Sequence, residues 1–454
     1  MGERFTASRV PPSGIGERFD TRQRWQAWLD VEAALAQSQA EFGIIPPEAA
    51  EAIIAACRID RLDLDRVRTG IARSSHPLMP LIVELSRVVG HHGGWVHWGA
   101  TTQNIMQTGD VLVLRRVHRI ILGQLARILE ALADLASRSA ELVTAGRTHG
   151  QHAVPVTFGF KVAGWIDELS RHVTRLRELE PRLFVALIGG AAGTFAALGE
   201  RGPELQARIA QRLGLAPMPV PARSIGDHFA EFVCLLGLLA GTCGKIGREI
   251  YTLMKTEYGE VEEPVPAGTV GSSTMPHKRN PQLCQDVLSI TSEIRSLVPL
   301  ALEAMQGEHE ADHCPGTQFE AIRRASILTG EALERIHLVV AGLRLNPPRM
   351  RSNLALSGGM ISSEAVMLEL GKSLGRQKAH DVVYEAAQAS VSQGKPFTEL
   401  LAADPRVTAH LSRDAIDALL NPASHTGVSA QIAREQAEVA RRFANEVHAY
   451  LALR

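Results

Sequence analysis

The stretch Gly271-Ser272-Ser273-Thr274-Met275-Pro276-His277-Lys278-Arg279-Asn280-Pro281 gathers hydroxyls, an imidazole, an ammonium, a guanidinium and an amide into a short run of chain. Glycines at 259, 268 and 271 and prolines at 264, 266, 276 and 281 keep a helix from crossing it. Such a polar loop suits a dicarboxylate. Lys278 and Asn280 can give charge-assisted hydrogen bonds while a hydroxyl lies near the reacting carbon. The plain alternative is a basic surface loop. Two further stretches carry polar groups of the same kind. Trp95-Val96-His97-Trp98-Gly99-Ala100-Thr101-Thr102-Gln103-Asn104 offers short hydroxyls and amides, although a Thr-Thr-Gln-Asn turn is also an ordinary helix cap. Gly146-Arg147-Thr148-His149-Gly150-Gln151-His152-Ala153-Val154-Pro155 sets a threonine beside two histidines.

Long helices must position these stretches. Val117, Ile121, Leu125, Ile128, Leu132 and Leu135 recur at three- and four-residue steps, with Arg119, Arg127, Glu130 and Asp134 between them. Phe229, Phe232, Leu236, Leu239, Cys243, Ile246, Ile250 and Leu253 form a second stripe, and no proline falls between Phe229 and Tyr258. At 1.5 Å per residue that run is roughly 45 Å of helix. Convincing strand alternation is nearly absent. The pattern predicts an all-α chain of three helical domains, at residues 1–110, 111–355 and 356–454, the central one a long-helix bundle. Gly and Pro clusters at 146–155, 189–202, 217–221, 264–281 and 347–359 punctuate it.

Composition narrows the function. Lys plus Arg number 48 against 49 Asp plus Glu, so nothing suggests a nucleic-acid or acidic-membrane partner. A few local cations still suffice for an anionic small substrate. Five scattered cysteines without a Cys-x-x-Cys pair argue against a disulfide framework or a cysteine zinc site. Glu308, His309, Glu310, His313 and Cys314 fit no standard metal spacing, so no metal is expected. Gly189-Gly190-Ala191-Ala192-Gly193 follows no strand and has the wrong order of glycines for a dinucleotide loop; a close-packed helix–loop junction is the better reading. Without an apolar core behind a basic start, or a run of about 18 apolar residues, the expectation is a cytoplasmic protein.

The wording Gly-Ser-Ser-x-Met-Pro-x-Lys-x-Asn-Pro resembles the signature loop of the fumarase/aspartase superfamily, and the other two stretches resemble its first and second regions in the right order. The resemblance runs from Arg18 to the C-terminal helices. It implies a cofactor-independent lyase in which Ser272, as its alkoxide, takes the proton next to a substrate carboxylate, with Ser273 the second candidate. Lys278 and Asn280 would hold the aci-carboxylate carbanion, within a segment that also carries Ser273 and Met275. Thr101, Thr102, Gln103 and Thr148 would bind carboxylate, and His149 would serve the leaving group as general acid. A histidine side chain titrates near about 6.5, which suits that role. His76, in Ser74-Ser75-His76-Pro77, sits about where adenylosuccinate lyases carry another active-site histidine. The same resemblance implies a homotetramer whose sites are each shared by three subunits.

Within the superfamily the signals are mixed. The loop wording, Phe195-Ala196-Ala197-Leu198-Gly199-Glu200-Arg201 and Ser363-Glu364-Ala365-Val366-Met367-Leu368 resemble the 3-carboxy-cis,cis-muconate cycloisomerases, whereas Thr148-His149-Gly150-Gln151-His152 resembles adenylosuccinate lyase. Glu364 replaces an arginine expected to bind nucleotide phosphate, and Ile225-Gly226 replaces a usual Gln-Arg before Asp227. Gln285 stands where most such lyases place a glutamate paired with the catalytic histidine. The expected reaction is elimination of an amine, or secondarily an oxygen nucleophile, from a substituted succinate to give fumarate. The runner-up is the lactonising cycloisomerase, and a non-catalytic structural relative is the reading from another class.

Overall fold

The computed structural model describes residues 4–265, 274–275, 277–310 and 315–453. Its architecture is set by helices, among them α1 (Thr21–Glu41), α2 (Met79–Val89), α3 (Thr102–Arg138), α4 (Phe158–Leu183), α5 (Asp227–Leu253), α6 (Gln282–Ala304), α7 (Pro315–Gly342), α8 (Pro347–Ala355) and α9 (Ser429–Ala452), with further helices between them. Among the described residues, strand is confined to three two-stranded pairs. These are the antiparallel β1 (Val143–Thr148) and β2 (Gln151–Thr157), the parallel β3 (Val185–Ala186) and β4 (Ala216–Pro217), and the antiparallel β5 (Val261–Glu262) and β6 (Arg344–Leu345). The chain is all-α in class.

Helix α3, 37 residues long, is the spine. The predicted stripe from Val117 to Leu135 lies on it, every member at most 1% exposed, and meets α1, α4, α7 and α9. Helix α5 carries the second stripe and packs on α4, α6 and α7. It is long and apolar enough to cross a bilayer, yet 67% of its most apolar window is buried inside the bundle, which accounts for its composition. The last helix, grouped by the sequence with the C-terminal domain, instead lies along α3 and α4. Ala433, Ala437, Ala440 and Ala444, all fully buried, recur on one face and let the backbones approach closely. A separate small core forms from Val366, Leu370, Phe397, Leu401 and Ile416. Helix α3 runs unbroken through residue 110, so the proposed first boundary falls within a continuous element.

The packing fixes an expected outcome. Leu125→Ala, which empties a fully buried position at the centre of the spine, should cost about 2–5 kcal/mol of unfolding free energy. A denaturant titration of the variant against wild type measures it.

Candidate active site

The stretch read as a break between helices around residues 146–155 is an antiparallel hairpin; the expectation that no strand precedes Gly189 is corrected too, since the two-residue β3 ends three positions before it. Gly146 and Pro155 obscured the alternation. Residue pairing shifts between Ala145 and Arg147, and a Cβ on Gly146 would come 2.5 Å from the Val154 carbonyl oxygen, so only glycine fits this bulge. At the tip His149 and Gly150 have φ of 52° and 75°, as a two-residue hairpin turn requires; histidine is among the few side chains that tolerate this region. Thr148 and His149 are exposed there.

Below the tip the hairpin is held by charge. Arg147 Nη2 donates to Glu260 Oε1 at 2.5 Å and its Nη1 to Oε2 at 3.3 Å. Asn353 Nδ2 of α8 donates to the same carboxylate at 2.7 Å, and Thr144 Oγ1 at 3.2 Å. Burial pushes the Glu260 carboxyl up, but the bonds from Arg147, Asn353 and Thr144 outweigh it and hold it below the usual carboxylate range.

Thr101, Thr102 and Gln103 form the N-terminus of α3, with Thr101 at the cap position. The wholly buried Asn104 accepts from Thr101 N at 3.2 Å and from Gly190 N at 3.1 Å, tying the glycine-rich loop to the helix start. A Cβ on Gly193 would come 2.5 Å from the Pro221 carbonyl oxygen, in keeping with a close-packed junction. The Gln103 side chain is engaged by Arg223, donating to its carbonyl at 2.9 Å and accepting from its Nε at 2.8 Å. Arg223 thus adds a cation at this helix end that sequence reasoning missed, because nothing local to residue 223 points to a partner 120 positions away. His97, with φ 62°, lies 2.6 Å from the buried Glu32 through Nδ1. Burial pushes His97 down, but the charge and hydrogen bond of Glu32 prevail and its pKa is raised.

Lys278 and Asn280 line a groove of about 930 Å³ together with His277, Gln285, Arg279 and Arg344. Arg279 is paired with Glu262 at 3.1 Å. Met275, 43% exposed, accepts from Lys278 N at 3.0 Å through its carbonyl. Ser272 and Ser273 lie outside the described residues, as do His313 and Cys314. His76 is used locally: its Nδ1 accepts from Leu78 N at 3.2 Å and Met79 N at 3.1 Å, capping α2. The groove contains none of Thr101, Thr148 or His149.

A long-helix bundle carrying these three stretches defines a protein of the fumarate lyase class. The family model described as "Lyase" matches residues 8–295, and that of the adenylosuccinate lyase C-terminus matches residues 359–435. The chain belongs to the fumarate lyase superfamily. It is 38% identical over 427 residues to N-acetyl-S-(2-succino)cysteine lyase of Dickeya dadantii (strain 3937), covering 92% of this chain and 94% of the relative. It is 41% identical over 417 residues, 90% of each chain, to 3-carboxy-cis,cis-muconate cycloisomerase of Pseudomonas aeruginosa. The crystal structure of 3-carboxy-cis,cis-muconate lactonizing enzyme from Pseudomonas putida superposes with a TM-score of 0.88 at 35% identity, over 97% of this chain and 100% of that one.

Two outcomes follow from the charges. Arg147→Ala leaves Glu260 buried and short of its cation, and should cost about 3–5 kcal/mol in denaturant unfolding. The His97–Glu32 pair stabilises fully below the ordinary histidine pKa, and that contribution is lost as pH rises through the raised folded value. His97→Asn should therefore be less stable than wild type at mildly acidic pH, and the gap should narrow in alkaline buffer.

Proposed function

We propose that this protein is a β-eliminating lyase that splits a substituted succinate into fumarate and a departing nucleophile through an aci-carboxylate carbanion. The observation that carries the reading is the Gly271–Pro281 wording within a chain of this superfamily, with Lys278 and Asn280 on a groove. Ser272, deprotonated, removes the carbon-bound proton. Lys278 and Asn280 stabilise charge as it develops on the neighbouring carboxylate. Thr101, Thr102, Gln103 and Thr148 hold carboxylate oxygens, and His149 faces the leaving atom.

One step favours a particular leaving atom. An amine must gain a proton as it departs, because an amide anion is far too basic. A thiol, with a pKa of about 8.5, can leave as thiolate. Gln285 on the groove is a neutral amide, and an amide orients a histidine without adding to its basicity. That weakens the case for a strong acid–base relay and supports sulfur ahead of the nitrogen first expected. The 38% identity to a succinocysteine lyase supports it independently. Nitrogen remains the second reading, on the Thr148-His149-Gly150-Gln151-His152 wording and the C-terminal family match.

The absence of Thr101, Thr148 and His149 from the lining of the groove that holds Lys278 and Asn280, with His149 on an exposed tip, supports a site completed between copies. Phe160, Leu238 and Leu302, between 41% and 55% exposed on long helices, offer apolar contact for such an assembly. The proposed assembly is a homotetramer.

The test offers S-(2-succinyl) thiols, N-substituted aspartates and 3-carboxymuconate to the purified enzyme, following fumarate release, free thiol and loss of diene absorbance. Diene loss without fumarate from any succinyl compound would overturn the reading in favour of the cycloisomerase. Ser272→Ala should lower kcat by about 10²–10⁴ while substrate still binds. His149→Gln should cost less than about tenfold with a thiol substrate and about 10²-fold or more with an amine.

A further inference from the structure

We propose that Glu263 is a positioning residue for this reaction, fixing Lys278 and Asn280 by clamping the start of α6 from across the loop that carries them; the assignment rests on the fumarate-forming reading above. Glu263 follows directly on β5 and is fully buried. Its Oε1 accepts from Leu283 N at 2.9 Å and its Oε2 from Cys284 N at 3.0 Å. These are second- and third-position amides of α6, groups that no intrahelical carbonyl can satisfy.

Helix starts are ordinarily capped by the residue just before them. Here that residue is Pro281, which makes no side-chain cap bond, and the acceptor comes from 20 positions upstream. The chain before the loop, at Glu263, is thereby pinned to the chain just after it, at Leu283 and Cys284. Asn280 lies three residues from the clamped Leu283, and its carbonyl accepts from Gln282 N at 2.9 Å. Lys278 is two residues further back. Arg279, on the same turn, pairs with Glu262 next to the clamp.

The choice of a carboxylate argues for more than capping. Burial pushes the Glu263 carboxyl up, and the amides of Leu283 and Cys284 only partly offset this. A neutral acceptor would satisfy one amide at far lower desolvation cost. A carboxylate offers two acceptors in one plane, so it fixes the direction of α6 as well as its end. The N-terminal segment reinforces the same helix: Arg9 Nη2 donates to Gln282 at 3.2 Å, and Thr6 donates to the buried Asp286 through N and Oγ1 at 3.0 and 2.6 Å. Neither residue reaches back past Gln282; among the described contacts, the Glu263 clamp, alongside the more exposed Arg279–Glu262 pair, ties the loop's exit to its entry.

The test is Glu263→Gln, with Glu263→Asp as the shortened carboxylate. Both should fold, judged by far-ultraviolet circular dichroism and oligomeric state. Hydrogen exchange at the Leu283 and Cys284 amides, which needs no substrate, should be at least tenfold faster in each variant than in wild type. With the substrate that wild type turns over, kcat should fall about 10- to 100-fold while KM changes less than about threefold, because misplacement of this size acts on the developing charge. Glu263→Asp should not restore kcat. Wild-type exchange in Glu263→Gln would remove the clamp from consideration. Faster exchange with an unchanged kcat would reduce Glu263 to a stability role and overturn the assignment. Absence of fumarate from wild type would instead overturn the functional reading, and the assignment's catalytic half with it.

Discussion

A carboxylate held wholly out of water is the constraint on which the rest of this molecule turns. Glu260 would be a liability alone, since an unpaired buried charge costs several kcal/mol. It is tolerable because Arg147, Thr144 and Asn353 converge on it from a hairpin and from α8. The arrangement works both ways. The bulge at Gly146 aims Arg147 inward, and the ion pair in turn holds the hairpin base against the bundle, so that Thr148 and His149 project from a fixed mount. Three residues along, on the other side of β5, Glu263 does the corresponding work for α6. One short acidic stretch, buried at both ends, braces two of the three segments that carry polar chemistry.

The third segment is braced differently. Thr101 to Gln103 stand at the positive end of the α3 dipole, and the cation of Arg223 is held beside them by Gln103 and by the Ala191 carbonyl at 2.8 Å. Each segment therefore presents donors to solvent from a rigid base, and each is incomplete as a pocket by itself. Donors alone attract a carboxylate; enclosure between copies would exclude water and strengthen every such contact.

The long helices were legible because periodicity sustained over 19 and 25 residues is hard to mistake: the Val117–Leu135 and Phe229–Leu253 stripes fall on α3 and α5, within two residues at the start of the latter. The hairpin was not, because a bulge glycine and a strand proline break the alternation on which such reading relies. The return of α9 to the bundle was hidden too, since an alanine stripe states closeness without naming a partner. Among site residues, the sequence marked those that the proposed reaction would use. It gave no sign of Arg223, Glu260 or Glu263, whose roles depend on partners 20 to 120 positions away. His76 carries a local role that the sequence also did not show: its Nδ1 caps a helix.

The tip of the hairpin has a consequence for how such enzymes diversify. Only two residues, His149 and Gly150, lie between strands that the Glu260 network anchors further down. On the role proposed for His149, a change at 149 would alter what meets the departing atom without disturbing the buried frame, subject to one restriction: the newcomer must accept a left-handed backbone, or the turn must be rebuilt around it. On the proposed roles, the residue that abstracts the proton and the residue that meets the departing atom lie in different segments of the chain, though Glu260 and Glu263, three positions apart, brace the hairpin and α6. New substrates could be acquired by editing the second while inheriting the first unchanged.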